Sequence, residues 1–280
     1  MKTIISIGLV GLLFFGLGKS LPFVQNRNQD NNDSTVEKNV KYGTDPKHVL
    51  DICKPKDLTK KVPLVILIHG GGGDKSSYWG TCQRLASSGY IAAAVNFRED
   101  PPPAYPKFME DIRNALTFLR KMENVDGTKT AAMGGSGGGT ASSFLGLEDS
   151  PPKVSCVVDQ FGPVDFTDPQ LRSLPLWQKK LFPKLFGSVS YEENPELYKK
   201  ASPITYVSAD DADFFLTRSV NDRIVPKSQP ERLIRALRAA GKVVPDLYEF
   251  NGTGGGHSTK LPRADAEKLW LAQKNFLDRC

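Results

Sequence analysis

Only three histidines (His48, His69, His257) and four cysteines (Cys53, Cys82, Cys156, Cys280) occur in 280 residues, and there is no C-x-x-C. Without clustered His and Cys spacing, no zinc site is expected. Basic residues run no longer than pairs such as Lys179-Lys180 and Lys199-Lys200. The 37 Lys plus Arg are scattered among 31 Asp plus Glu, so the focused basic face of a nucleic-acid binder is missing. Neither G-x-x-x-x-G-K-[ST] nor G-x-G-x-x-G is present, which removes the common glycine loops that cradle nucleotide phosphates. No metal, no organic cofactor and no nucleic-acid partner is therefore expected. What is present is ordinary globular material, 39% hydrophobic, 24% charged and 9% aromatic, at a length that one compact α/β or all-β domain can occupy.

The first twenty residues place Lys2 ahead of a 14-residue apolar run, Ile4 to Leu17, with small residues at Gly16, Gly18 and Ser20. This is the layout of a secretory signal peptide. As a helix the run covers about 21 Å against about 30 Å of hydrocarbon, so a stable membrane span is not expected, although an uncleaved anchor is the alternative. No Cys follows the run to take a lipid. The expected organisation is a leader at 1–20, a flexible polar segment at 21–38 and one folded domain at 39–280, in a secreted or periplasmic protein. Four cysteines in an exported chain allow three pairings, and the sequence does not choose among them. Cys156, inside the apolar run Val154 to Val158, also reads as a buried free thiol.

From Val40 onward short apolar runs alternate with segments of helical period, the pattern of an α/β fold with a mostly parallel sheet covered by helices on both faces. Leu64 to Ile68, Ile91 to Val95, Lys129 to Met133, Val154 to Val158, Phe214 to Thr217 and Leu247 to Phe250 are too short for helices and read as strands. Phe108, Ile112, Leu116 and Leu119 mark one helix. Leu233, Ile234 and Leu237, between a capping box Ser228-x-x-Glu231 and a stop at Gly241, mark another. A last helix is expected over about Ala264 to Leu277. Gly162 to about Ser202 breaks the alternation with many prolines and reads as a short insertion after the sixth strand.

Gly134-Gly135-Ser136-Gly137-Gly138 fits G-x-S-x-G between a strand and a small-residue helix. In that context a serine on a sharp turn projects its hydroxyl from the sheet, and the helix N-terminus favours developing negative charge. A phosphate cradle or a plain linker is the competing reading. His69-Gly70-Gly71-Gly72-Gly73 follows directly on the Leu64 to Ile68 strand, where backbone N–H groups of Gly71 and Gly72, with that of Gly137, would meet an oxyanion. In this chain order the base lies after the last strand, which leaves His257 in Gly254-Gly255-Gly256-His257-Ser258. The carboxylate that orients it belongs just beyond Phe214 to Thr217, where Asp222 stands; a turn role in Asn221-Asp222-Arg223 is the alternative.

These motifs, with Tyr42-Gly43, His48 to Ile52, Val95 to Arg98, Asp159 to Phe166, Ala201 to Ile204 and Asn221 to Pro226, make the chain from about Tyr42 onward resemble α/β-hydrolase fold carboxylesterases. The hormone-sensitive-lipase-like and feruloyl-esterase-like enzymes are the group in question. The resemblance implies Ser136 as nucleophile, Asp222 as acid and His257 as base. It implies hydrolysis of esters of small or aromatic acids, with a small-molecule or carbohydrate-linked substrate. Gly135 and Gly137 flank the serine where related enzymes carry other residues, and Arg218-Ser219 replaces the His-Gly usual ahead of the acid. Trp177, Phe182 and Phe186 in the insertion are candidates for the pocket wall, with packing on the sheet edge as the alternative. The rival activities are a serine peptidase or amidase of the same fold and a catalytically silent ligand-binding protein.

Overall fold

A computed structural model of the chain describes residues 33–243, 247–253, 256–258 and 260–280. The leader at 1–20 lies outside the described residues. Strands β1 (Ser34–Lys41), β2 (Val49–Pro55), β3 (Val62–Ile68), β4 (Ile91–Val95), β5 (Val125–Gly135), β6 (Cys156–Gln160), β7 (Asp213–Ser219) and β8 (Leu247–Phe250) form one sheet. Its order is β1-β2-β4-β3-β5-β6-β7-β8. β1 and β2 are antiparallel, and β3 to β8 run parallel.

The central parallel strands β3 and β4 are continuous apolar runs because both their faces are covered. Along β3, Leu64, Ile66 and Ile68 enter one core, with side chains from α2 (Lys107–Arg120), α3 (Gly137–Leu147) and α7 (Ser228–Ala239). Val65 and Leu67 enter the opposite core, against α1 (Trp79–Ser87) and α8 (Arg263–Leu277). Period 2 in the strand thus feeds two helical layers, and the expected α/β-hydrolase architecture is the observed one.

Three details depart from the sequence reading. The polar segment expected to be flexible to residue 38 gives way at Ser34 to β1, an edge strand that pairs Ser34 with Pro55 and Val36 with Cys53. The capping box does not form. Ser228 is already the first residue of α7, and its hydroxyl donates to buried Asp168 Oδ2 from the insertion instead of to its own helix. Cys156 is not a free thiol, for disulfides join Cys53 to Cys82 and Cys156 to Cys280. The second ties the end of α8 to the middle of the sheet.

The segment after β6 folds as short pieces, α4 (Pro169–Arg172), a π-helical turn at Trp177–Leu181, α5 (Phe182–Phe186) and α6 (Pro195–Lys200). Phe166, Trp177, Phe182, Phe186 and Tyr198 pack on one another with ring centroids 4.2 to 6.3 Å apart. The insertion therefore carries a small aromatic core of its own.

Candidate active site

Ser136 sits between β5 and α3 with φ 56° and ψ −125°, a left-handed backbone that a residue with a Cβ rarely adopts. The turn is so tight that a Cβ built on Gly138 would lie 2.0 Å from Ile68 O, and one on Gly134 would lie 2.3 Å from Gly138 O. Glycine is required at both positions, which is the physical content of the G-x-S-x-G spacing. The Ser136 N–H donates to Gln160 O at 2.9 Å and fastens the turn to the next strand.

His257 comes from the loop after β8 and Asp222 from the loop after β7. His257 Nε2 lies 2.8 Å from Ser136 Oγ, and His257 Nδ1 lies 2.8 Å from Asp222 Oδ2. The other carboxylate oxygen of Asp222 accepts the backbone N–H groups of Ile224 and Val225 at 2.8 and 3.0 Å. Asp222 thus closes its own turn through one oxygen and meets the imidazole through the other. Phe161 sets its ring edge against His257 with centroids 4.9 Å apart.

The two loops are braced by residues to which the sequence reading gave no role. Ser219 Oγ accepts from Gly252 N–H at 2.8 Å and donates to Asn221 Oδ1, and Asn221 Nδ2 donates to Gly252 O at 2.9 Å. The departure at Arg218-Ser219 therefore has its own local logic. Ser219 bonds across to the histidine loop, while Arg218 pairs with Glu249 on β8.

The glycine loop after β3 lies over the serine turn, for a Cβ on Gly70 would come within 3.1 Å of Ser136 Cβ, and one on Gly137 would be 3.5 Å from Gly71 N. The Gly71 nitrogen thus lies close to Gly137 over the serine turn. Gly72 does not join them, because its N–H donates to Glu99 Oε2 at 2.8 Å. His69 is buried, stacks on Phe97 with centroids 4.3 Å apart and bonds Gly70 O through Nδ1 at 2.9 Å. Burial holds its pKa below the ordinary histidine value. Trp177, Phe182 and Phe186 are found in the insertion's aromatic core, 4, 7 and 3% exposed, and Trp177 Nε1 donates to Ile224 O at 2.7 Å. Packing is the role this placement gives them.

Asp159, on β6 behind the serine turn, enters the sequence reading only as part of a motif and without a role. It is 3% exposed, and its carboxyl accepts Gly162 N–H at 2.6 Å and Ser143 Oγ at 2.8 Å. Burial outweighs these bonds and pushes its pKa up to about 6. The unfolded chain releases this proton near 3.8 and the folded one near 6, so the folded state binds more protons in between and stability falls as pH rises through that window. The expected size is about 3 kcal/mol. Asp159→Asn keeps both bonding partners and cannot ionise. Urea unfolding from pH 4 to 6.5 should show a smaller fall for this variant; equal falls would place the proton elsewhere.

The eight-stranded sheet and its helical layers are those of an α/β-hydrolase. Residues 50–237 match the model of the BD-FAE family, and the chain belongs to that family. Esterase LipC of Mycobacterium tuberculosis (strain H37Rv) is 27% identical over 263 residues, 84% of this chain and 64% of its own length. The probable carboxylic ester hydrolase LipM of the same strain is 29% identical over 204 residues, 66% of this chain and 47% of its own. The chain thus spans about half to two thirds of these relatives. Dipeptidyl aminopeptidase BIII of Pseudoxanthomonas mexicana is 29% identical over 237 residues, 78% of this chain and 33% of its own length. In three dimensions a truncated carbohydrate esterase from gut microbiota superposes with TM-score 0.76 at 23% identity, covering 90% of this chain and 98% of its own. At that identity the likeness is one of fold.

Proposed function

We propose that the protein hydrolyses carboxylic esters through Ser136, His257 and Asp222. His257 takes the Ser136 proton as the hydroxyl attacks the ester carbonyl, and Asp222 stabilises the imidazolium. The N–H groups of Gly71 and Gly137 hold the oxyanion, and water repeats the cycle on the acyl-enzyme. The observation that carries this reading is the continuous chain Ser136 Oγ, His257, Asp222, with both contacts at 2.8 Å. The substrate is an ester of a small or aromatic acid, free or linked to carbohydrate.

A peptidase reading draws support from the aminopeptidase relative. Against it, an ester has the better leaving group, and nothing in the sequence marks a pocket for a peptide amine. The expected result is an ester kcat/KM far above that of the matched amide, falling for acyl chains beyond about eight carbons. Equal or better turnover of peptides would make the protein a peptidase, and a steep rise at a lipid–water interface would make it a lipase.

Export is part of the same proposal. The leader pattern supports it, as do two disulfides, which persist in oxidising compartments. Mass spectrometry of the secreted product should place the mature N-terminus near Lys19 or Leu21; a product that retains Met1 would contradict cleavage.

A further inference from the structure

The loop from Gly70 to Gly73 carries little packing on its outer side. A Cβ built on Gly72 would meet nothing within 4 Å, and beside the loop lies a cavity of about 60 Å³ whose lining includes His69, Asp74, Asn96 and Glu99. A run of glycines has many backbone states to lose on ordering, so hydrogen bonds have to set the shape of this one. Gly73 N–H to Gly70 O, 3.0 Å, closes a turn whose third residue, Gly72, has φ 75°, as in a type II turn. The closing bond is common to both main turn types. What separates them is the orientation of the peptide between Gly71 and Gly72, and its N–H points at Glu99.

We propose that Glu99 is a positioning residue for the hydrolytic reaction. By taking the Gly72 N–H on Oε2 it fixes the peptide between Gly71 and Gly72, and so the loop that presents the Gly71 N–H beside Gly137. The inference rests on reading Gly71 and Gly137 as the oxyanion donors. A carboxylate next to a site of developing negative charge opposes the reaction unless it is neutralised. Lys184, from α5 in the insertion, sets its Nζ 3.1 Å from the same Oε2. The insertion is anchored for this purpose, since Ala104 N–H donates to Lys184 O at 3.0 Å and Tyr105 N–H to Leu185 O at 3.1 Å. Glu99 thus gives the loop its shape, and Lys184 removes the electrostatic penalty of using a charged residue to do so.

The test is a kinetic comparison on p-nitrophenyl acetate, with thermal melting alongside. Glu99→Ala should lower kcat about tenfold or more while KM moves less than about twofold, because a misplaced donor weakens the transition state selectively. Glu99→Gln, whose amide oxygen still accepts the Gly72 N–H, should regain most of that loss. Lys184→Met should lower kcat severalfold when Glu99 is charged and have no effect in the Glu99→Gln background. A merely structural ion pair would move melting without this split. Ser136→Ala separates the two claims, since activity surviving that change overturns the proposed function itself. With Ser136→Ala inactive, an unaltered kcat in Glu99→Ala, or an equal effect of Lys184→Met in both backgrounds, overturns the role of Glu99 alone. If Glu99→Ala does not fold, the Glu99→Gln and Lys184→Met pair decides.

Discussion

Ser136→Ala should lower kcat/KM on a small aryl ester by at least about 10⁴-fold, and His257→Ala should do about the same, while the double variant loses little more. The three residues act as one unit. Without the hydroxyl there is nothing for His257 to deprotonate, and without His257 the hydroxyl keeps its proton at neutral pH. Stability should barely move in Ser136→Ala, because the turn is held by the Ser136 N–H bond to Gln160 O and by the glycines around it, not by the hydroxyl. A loss of activity with unchanged melting is therefore the expected signature. Additive losses in the double variant would mean that the two residues act independently, which the 2.8 Å contact between them does not support.

Removing the Cys156–Cys280 disulfide by Cys→Ser at both positions should have the largest effect on stability. It closes a loop spanning 124 residues, against 29 for Cys53–Cys82. Constraining the unfolded chain over those lengths contributes about 5 and about 4 kcal/mol respectively in the chain-entropy model. The first is comparable to the whole stability of many domains. The local structure adds to this, since α8 packs Leu269, Trp270, Phe276 and Leu277 on the same face of the sheet that holds Cys156. Urea unfolding of that double variant beside the unaltered protein, both without reductant, checks the figure. An unchanged midpoint, with four thiols titrating in denaturant without reductant, would contradict the pairing.

The disulfides also show where sequence reasoning stops. Four cysteines allow three pairings, and the choice depends on Cα atoms brought to 5.7 and 6.1 Å where α1 packs on β2 and the end of α8 on β6. The strand β4 falls on the residues its apolar run marked, because a parallel strand buried on both faces needs little else. β1 was not legible for the opposite reason. Its sequence, STVEKNVK, is largely polar, and an edge strand with much of its surface in solvent loses the apolar signal.

At the site, chain order and the glycine motifs were enough to bring Ser136, His257 and Asp222 forward, since each stands where a parallel strand ends. The residues that hold them are hydrogen-bond partners across 27 to 33 positions, Gly72 with Glu99, Asn221 with Gly252 and Ser219 with Gly252. No local pattern marks such pairs. The same holds for Ser228, whose capping signal was overridden by a buried carboxylate 60 residues away.

The most direct measurement of the proposed chemistry is covalent capture of the nucleophile with a fluorophosphonate, followed by peptide mass spectrometry. A hydroxyl reacts with this reagent when a neighbouring base removes its proton. Ser142 and Ser258 are the serines nearest to the motifs. Ser142 is fully buried and donates its hydroxyl to Gly138 O at 2.9 Å, and the Ser258 hydroxyl accepts the Lys260 N–H at 3.0 Å. One adduct on Ser136, absent from Ser136→Ala and strongly slowed in His257→Ala, is the expected result. Labelling that survives in Ser136→Ala, or an adduct on Ser142 or Ser258 in the unaltered protein, would contradict it.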